Sequence, residues 1–539
     1  MTPERAGRET YLQGAFILAG AAMISRILGA VYRIPLARFI SDYGMGLYGA
    51  GYQIYQVLLG ISTVGINVAI SKVMAEKLAR DDERGAFRVF GISFLLLAAL
   101  GLGSALLLGF GAKPLADHWN PDVFFAVVAL APAIFLVALE GSLRGYFQGY
   151  QRMTPPAVSQ IVEQFFRVSA VLVLAYVLLP RGEAVAAGGA ALGATAGAML
   201  GAVYLLFPYV RSRGDVRRRL ASQPAPPRRG PVEPAGDVVR RIVTLAVPIS
   251  IAGVVIPLMG IADLLFVPDR LEAIGFSVVE STKLYGQLSQ MAMVLINFPA
   301  VVTYGLQTSL VPAISEAQAL GDTDGIVRKA TSGIRATLLI ALPAAVGLWV
   351  LASPICGLLY RHPEVGVPLA ALSGAVIFLM IQQTTSGVLQ GLGRTDLPVR
   401  NLIVGAVVKT ALVWFLTGVP ALNIRGAAYS TVAGFLVAAA LNVISVSRLV
   451  GLKVDLVSSV LKPLVASAVM GGALYLAFPV LQPALGADVA TLTAVGAGGL
   501  VYGLVLLLVG AVKERDLALL PGVGSRLARL LKGVGLVRD

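Results

Sequence analysis

The feature that most constrains this chain is its run of apolar segments about 20 residues long, the length that crosses the hydrocarbon core of a bilayer as a helix. Fourteen of them can be laid along the 539 residues, centred on 12–34, 48–70, 87–110, 123–143, 156–179, 185–207, 242–267, 283–311, 332–352, 367–390, 399–418, 425–447, 462–480 and 489–511. Composition agrees: 57% of the residues are hydrophobic and 13% charged, against about 25% charged in a soluble domain. A soluble multidomain enzyme is excluded, because each domain would need a charged skin that this chain lacks. The expectation is an all-α polytopic membrane protein with 14 transmembrane helices. The first segment reads as a retained helix and not as a signal peptide, since more spans follow it and a small-residue cleavage site is missing. One Cys and two His argue against a disulfide framework and a structural zinc site,; neither a metal nor a cofactor is expected.

The remaining charge is lopsided, 43 Lys+Arg against 29 Asp+Glu, a formal +14. In a membrane protein such an excess marks cytoplasmic loops and anionic headgroups, not nucleic acid. With the N-terminus inside, 31 of the 43 basic residues fall in inside segments and 7 in outside loops. This alternation predicts that both termini are cytoplasmic.

The sharpest compositional break is 208–241, with Arg211, Arg213, Arg217, Arg218, Arg219, Arg228 and Arg229 around Pro224, Pro226 and Pro227. It reads as a cytoplasmic linker on the membrane surface. The expected organisation is a lobe of six helices over 1–207, the linker 208–241, a second six-helix lobe over 242–448, two extra helices in 449–511, and a basic amphipathic tail helix over 512–539. The lobes resemble one another. Leu47, Tyr48, Gly49, Gln53 and Val57 recur 237 positions later as Leu284, Tyr285, Gly286, Gln290 and Val294. Gly145, Gln148, Gly149, Arg152, Pro156 and Ile161 recur 242 positions later as Gly387, Gln390, Gly391, Arg394, Pro398 and Ile403. Repeats of six helices keep their orientation, which implies a pseudo-two-fold axis along the membrane normal.

The stretch Arg144-Gly-Tyr-Phe-Gln-Gly-Tyr-Gln-Arg-Met-Thr-Pro-Pro to Val168 resembles the signature of stage V sporulation protein B-like polysaccharide transporters. These belong to the multidrug/oligosaccharidyl-lipid/polysaccharide (MOP) flippase superfamily. Ser25-Arg26-Ile27-Leu28-Gly29 is similar to the first helix of MurJ-type lipid II flippases in the same superfamily. The resemblance spans the chain in helix count, lobes and linker, with its specific motifs within about 12–75 and 140–170. It implies two rocking six-helix lobes that carry a lipid-linked sugar pyrophosphate across a bacterial plasma membrane. The chain departs from the MurJ-type pattern in helices 2 and 8, where 48–70 holds no basic residue and the eighth span offers only Lys283.

A charge in the hydrocarbon core costs roughly 2.5–3.5 kcal/mol on insertion scales, so each one is a candidate for function. Arg26 and Arg33 lie seven residues apart in the first span and share a helix face; guanidinium forks suit phosphate oxygens. Ser159, Glu163 and Arg167 recur every fourth residue in the fifth span. Glu163 and Arg167 can pair there, either as a structural ion pair or as a substrate or coupling-ion site. The repeat sets Lys409 opposite Arg167 and Asn401 opposite Ser159. Asp263 is a candidate counter-charge or proton site. Gln53, Gln56, Asn67, Gln287, Gln290 and Asn297 are candidates for sugar hydroxyls, with interhelical hydrogen bonding as the plainer role. Gly189, Gly193, Gly197 and Gly201 form a four-spaced stripe for close helix packing, and Pro299 would kink the eighth span.

Expected partners are a lipid-linked sugar pyrophosphate, membrane lipids and a coupling ion. A phosphate-cradling Gly-x-x-x-x-Gly-Lys-Ser/Thr loop does not occur, so ATP is not the direct energy source. Asp81-Asp82-Glu83 is the one carboxylate run an enzyme reading could use for Mg²⁺, and its short basic loop favours a solvated turn. A multidrug/cation antiporter on the same scaffold would want acidic residues that the first two spans lack, and a non-transporting membrane scaffold is the further alternative.

Overall fold

The computed structural model describes residues 11–222, 233–452 and 455–510. Arg5 and Arg8, the Pro-rich centre of the linker with Arg228 and Arg229, and the tail helix expected over 512–539 lie outside the described residues. Those described are helical throughout, with no strand among them.

Helices pack as two units. The first runs to Pro268 and adds Ser277–Gly286; the second holds Asp269–Phe276 and the chain from Gln287. In the first unit α1 is Tyr11–Val31, α2 Arg33–Leu59, α3 Gly65–Ala79, α4 Glu83–His118, α5 Val123–Gly149, α6 Thr154–Leu178, α7 Glu183–Ser222, α8 Ala235–Ala273 and α9 Val278–Gly286. The second unit holds α10 Met293–Ala319, α11 Thr323–Val350, α12 Ala352–Tyr360, α13 Gly366–Leu372, α14 Ala375–Gly391, α15 Asp396–Thr417, α16 Ile424–Val450, α17 Lys462–Leu485 and α18 Ala487–Leu508.

Among the described residues, twelve stretches are long and apolar enough to cross a membrane, and a pair bent by 50°, Pro363–Leu372 with Ala375–Gly391, makes a thirteenth. One of the twelve, Gly20–Ala79, is 60 residues long. At 1.5 Å per residue it would measure about 90 Å, three times the hydrocarbon core. It is broken at Ser41, whose φ of 57° takes the chain out of the helix. Two spans fit there, so the structure is compatible with fourteen. Outward faces are apolar: Leu500 is 71% exposed, Leu508 76% and Phe207 76%, which lipid accepts and water does not.

The sequence sets 242–267 at the head of its second half, and in the structure α8 packs within the first unit through glycines. A Cβ on Gly65 would stand 2.2 Å from the Ala246 carbonyl oxygen, and the Gly65 N–H donates to Ser250 Oγ at 3.2 Å. Further along, Gly60 meets Val254 and Gly260 meets the Gln53 side chain. A π-helical turn over Gly60–Val64 joins α2 to α3 at this contact. At the end of α3, Lys77 pairs with Glu233 at 2.9 Å and Arg241 of α8 pairs with Glu76.

The Asp81-Asp82-Glu83 run is a helix cap. Asp82 accepts from the Gly85 N–H at 2.8 Å and starts α4, satisfying one of the donors left open at a helix start. Asp322 does the same for α11, accepting from Gly325 N–H at 2.7 Å. The two caps are a further echo of the repeat.

Candidate functional site

The fifth span supplies the chemistry. The Glu163–Arg167 pair expected along the helix is formed in α6, and it is the end of a longer chain. Arg144 Nη2 donates to Glu140 at 2.6 Å and to Glu163 at 2.8 Å, while its Nε donates to Ser159 at 2.9 Å. The order is Glu140, Arg144, Glu163, Arg167: two carboxylates alternating with two guanidiniums, across α5 and α6. Glu140 is fully buried, and its Oε2 has no hydrogen-bond partner among the described residues.

Sequence reasoning missed Glu140 and Arg144. Arg144 counts there as an inside loop cation, because the fourth span is drawn to end at 143; α5 continues to Gly149, which puts Arg144 well inside the helix. The signal was present as a Glu–Arg pair at i, i+4.

The glycine stripe on α7 does more than bring helices close. Gly189 and Gly193 face Leu174 and Val171, as packing requires. A Cβ on Gly197 would stand 2.6 Å from the Glu163 carbonyl oxygen, and one on Gly201 would stand 2.3 Å from Glu140 Oε1. The bare backbone of α7 leaves the room that the charged row occupies.

Beside this row, α2 presents a ladder of tyrosines. Tyr48 and Tyr52 stack at 5.6 Å, Tyr52 and Tyr55 lie 5.6 Å apart, and the Tyr48 hydroxyl shares a hydrogen bond of 2.8 Å with Tyr32. The Arg33 guanidinium sits 5.5 Å from the Tyr52 ring centre, a cation–π distance. Tyr52 and Tyr55 are also electrostatic neighbours of Arg167. Arg33 Nε, Arg167 Nε and the Tyr55 hydroxyl are buried without a hydrogen-bond partner among the described residues. Orphaned donors of this kind are costly in a protein interior.

The structure thus brings Arg33, Glu163 and Arg167 into one region of the first unit. Arg26 lies on an exposed stretch of α1. Gln53 uses its amide on the Pro257 carbonyl at 2.7 Å, the plainer role. Asp263 is partly buried in α8. Gln290, Asn297 and Lys409 belong to the second unit. Gln290 is buried in a π-helical turn over Gln287–Ala292, and Asn297 is exposed with its amide on the Met293 carbonyl at 2.8 Å. Lys409 is buried in α15, its stem against Gly434 of α16.

The second unit carries the same framework with one charge, Lys409, where the first has four. At the 242 offset Glu140, Arg144, Ser159, Glu163 and Arg167 correspond to Gln382, Ser386, Asn401, Gly405 and Lys409. Gln382 donates to Ser386 at 3.2 Å, Asn442 donates to Ser386 at 3.1 Å, and Asn401 donates to Asn442 at 2.9 Å. Neutral amides and a hydroxyl therefore tie these helices where guanidiniums and carboxylates tie them in the first unit.

An all-helical chain with many spans and charges held inside its packed helices defines a polytopic membrane transport protein. Residues 11–318 match the model of the polysaccharide biosynthesis protein family, and 289–415 match that of the MatE family. The chain belongs to the polysaccharide biosynthesis protein family, within the MOP flippase superfamily, whose members are transporters and not enzymes. It is 29% identical to stage V sporulation protein B of Bacillus subtilis over 97% of this chain and 100% of that one. To the lipid II flippase MurJ of Bacillus subtilis it is 26% identical, over 91% and 94%. A structure of lipid II flippase MurJ in an inward closed conformation superposes with TM-score 0.67 at 15% identity, covering 92% of this chain and 98% of that one. An inward-facing multidrug resistance MATE family transporter of the MOP superfamily gives 0.63 at 15% identity, over 81% and 98%. The protein is a multi-span flippase of the plasma membrane.

Proposed function

We propose that the chain moves an undecaprenyl-linked cell-wall or polysaccharide precursor, of the lipid II kind, from the inner to the outer leaflet by alternating access. The observation that carries this reading is the pair of guanidiniums, Arg33 and Arg167, each with a buried Nε left without a hydrogen-bond partner among the described residues, and both electrostatic neighbours of Tyr52. A diphosphate brings several acceptor oxygens and at least two negative charges, and planar guanidinium forks pair with them in low dielectric. The similarity to a lipid II flippase supports the same substrate class. In this reading Arg26 meets the headgroup as it approaches; within the second unit Gln290 and Asn297 serve sugar hydroxyls and Lys409 an anionic group. Gln53 stays structural. Both termini lie in the cytoplasm, following the distribution of Lys and Arg.

The multidrug-antiporter alternative needs free carboxylates for cationic drugs. Glu163 is held by two guanidiniums and Glu140 by one, which disfavours it. The test is the accessibility of lipid-linked precursor at the outer leaflet in cells that depend on this protein alone. Depletion should trap precursor in the inner leaflet; unchanged outer-leaflet precursor would sink the proposal.

A further inference from the structure

Within the second unit, the end of α11 and the starts of α12, α13 and α16 enclose a cavity of about 380 Å³. Trp349, Ser353, Gly366, Arg425 and Tyr429 are among the residues that line it. In the topology proposed above, this is the outer end of those helices. Arg425 is the one charged residue in the lining, and its guanidinium has no hydrogen bond or ion pair among the described residues. It also stands in the first turn of α16, where the positive end of the helix dipole disfavours a cation.

The first unit is an internal control. At the 242 offset Arg425 corresponds to Glu183. Glu183 starts α7 with the charge that the dipole favours and accepts from the Ser41 hydroxyl at 2.8 Å. Arg425 has the opposite sign, no acid to answer it, and a place on the side that holds 7 of the 43 basic residues. Such a cation calls for an anion from outside the chain.

The rest of the cavity suits a lipid headgroup. Trp349 is 63% exposed and Tyr429 45%, and they stand at the ends of crossing helices, where such rings sit at headgroup level. Ser353 is exposed, and its hydroxyl has no partner among the described residues. Gly366 leaves that hydroxyl its room, since a Cβ there would stand 2.3 Å from Ser353 Oγ. Seven residues on from Tyr429, Leu436 is exposed on the same face of α16,. That face is an apolar track from the cavity into the depth of the membrane.

We propose that this cavity binds the headgroup of an anionic phospholipid of the outer leaflet, phosphatidylglycerol. Arg425 donates to the phosphate oxygens, the Ser353 and Tyr429 hydroxyls meet the glycerol hydroxyls, and the acyl chains follow Tyr429 and Leu436. A zwitterionic headgroup fits less well, because the lining offers no carboxylate to an ammonium group. The cavity is built from the second unit alone, and the proposal stands without the flippase reading.

The experiment uses the purified full chain in a neutral detergent, with dioleoyl phosphatidylglycerol as the probe and dioleoyl phosphatidylcholine as its neutral counterpart. Phosphatidylglycerol should raise the thermal midpoint of the wild type saturably. Arg425→Gln should need about tenfold more lipid for half of that rise, and Arg425→Lys should fall between the two. Equal responses of wild type and Arg425→Gln overturn the proposal, as does an equal rise with phosphatidylcholine. An equal rise with glycerol phosphate, which has no acyl chains, makes the occupant a free anion and overturns the lipid assignment. Should Arg425→Gln fail to fold, tryptophan quenching by lipids with brominated chains decides. Brominated phosphatidylglycerol should quench the wild type more than brominated phosphatidylcholine does, and the excess should vanish in Trp349→Phe. An excess that persists in Trp349→Phe, or a wild type without one, overturns the proposal.

Discussion

Arg144 on α5 donates to Glu163 on α6 at 2.8 Å, so one buried hydrogen bond between opposite charges ties two membrane helices. The same guanidinium nitrogen also serves Glu140, one turn back on its own helix. Removing this one side chain should leave two carboxylates in a nonpolar interior with Arg167 as their remaining cation.

The first prediction follows from that. Arg144→Leu is expected to lower stability by about 3–5 kcal/mol, the cost of stranding a buried charge, read as a drop in the thermal midpoint of the detergent-solubilised protein. The pair Arg144→Ser with Glu140→Gln copies Ser386 and Gln382 of the second unit and should regain most of the loss, leaving Glu163 with Arg167. A double variant no more stable than the single one would refute the equivalence of the two frameworks.

Room for the row is the second prediction. Gly201→Ala puts a Cβ 2.3 Å from Glu140 Oε1 and should cost about 1–3 kcal/mol as overpacking. Gly499→Ala meets nothing within 4 Å and should be neutral or slightly stabilising, because Ala favours helix over Gly by up to about 1 kcal/mol. Equal melting temperatures for the two variants would contradict the role given to the α7 glycines.

Much of this was legible beforehand, and the gaps have physical causes. Apolar length gives the spans, because the bilayer imposes a length on every crossing helix. A spacing of four gives Glu163 with Arg167, since i and i+4 meet on one face. Arg144 escaped because a cation near a span end reads as a loop residue until the true end of α5 is known. Glu140 escaped with it, its partner being the residue set aside. The second function of Gly197 and Gly201 escaped for another reason: a small-residue stripe says that something approaches closely, and only tertiary packing says that the visitor is charged. Likewise the approach of α8 to α2 and α3 depends on which glycine faces which carbonyl, information that no local period contains.

A third prediction separates the two guanidiniums from simple positive charge. Arg33→Gln and Arg167→Gln should each reduce precursor flipping, normalised to membrane abundance, about tenfold or more, the loss of roughly 1.4 kcal/mol or more of charge-assisted binding; Arg167→Gln should also lose stability, because Glu140 and Glu163 are left to Arg144 alone. Arg33→Lys and Arg167→Lys keep the charge and lose the planar fork, so they should recover less than half of the activity. Full activity in both Gln variants, measured by outer-leaflet accessibility of precursor, would remove these residues from the substrate path.

The last prediction concerns charges that should matter little. Arg241 pairs with Glu76 at the end of α3, but the side chains are 38% and 36% exposed. Water and salt screen such a pair, and exposed ion pairs contribute about 0–1 kcal/mol. Arg241→Ala should therefore shift the thermal midpoint by less than a quarter of the shift from Arg144→Leu, and the small difference should shrink further as salt is raised. The contrast is a direct measure of what burial does to the same chemistry: carboxylate and guanidinium meet in both places, and only in α5 and α6 is there no solvent to take over when one partner leaves. A large loss in Arg241→Ala that persists at high salt would mean that the α3–α8 contact depends on this pair and not on the glycine faces that bring the helices together.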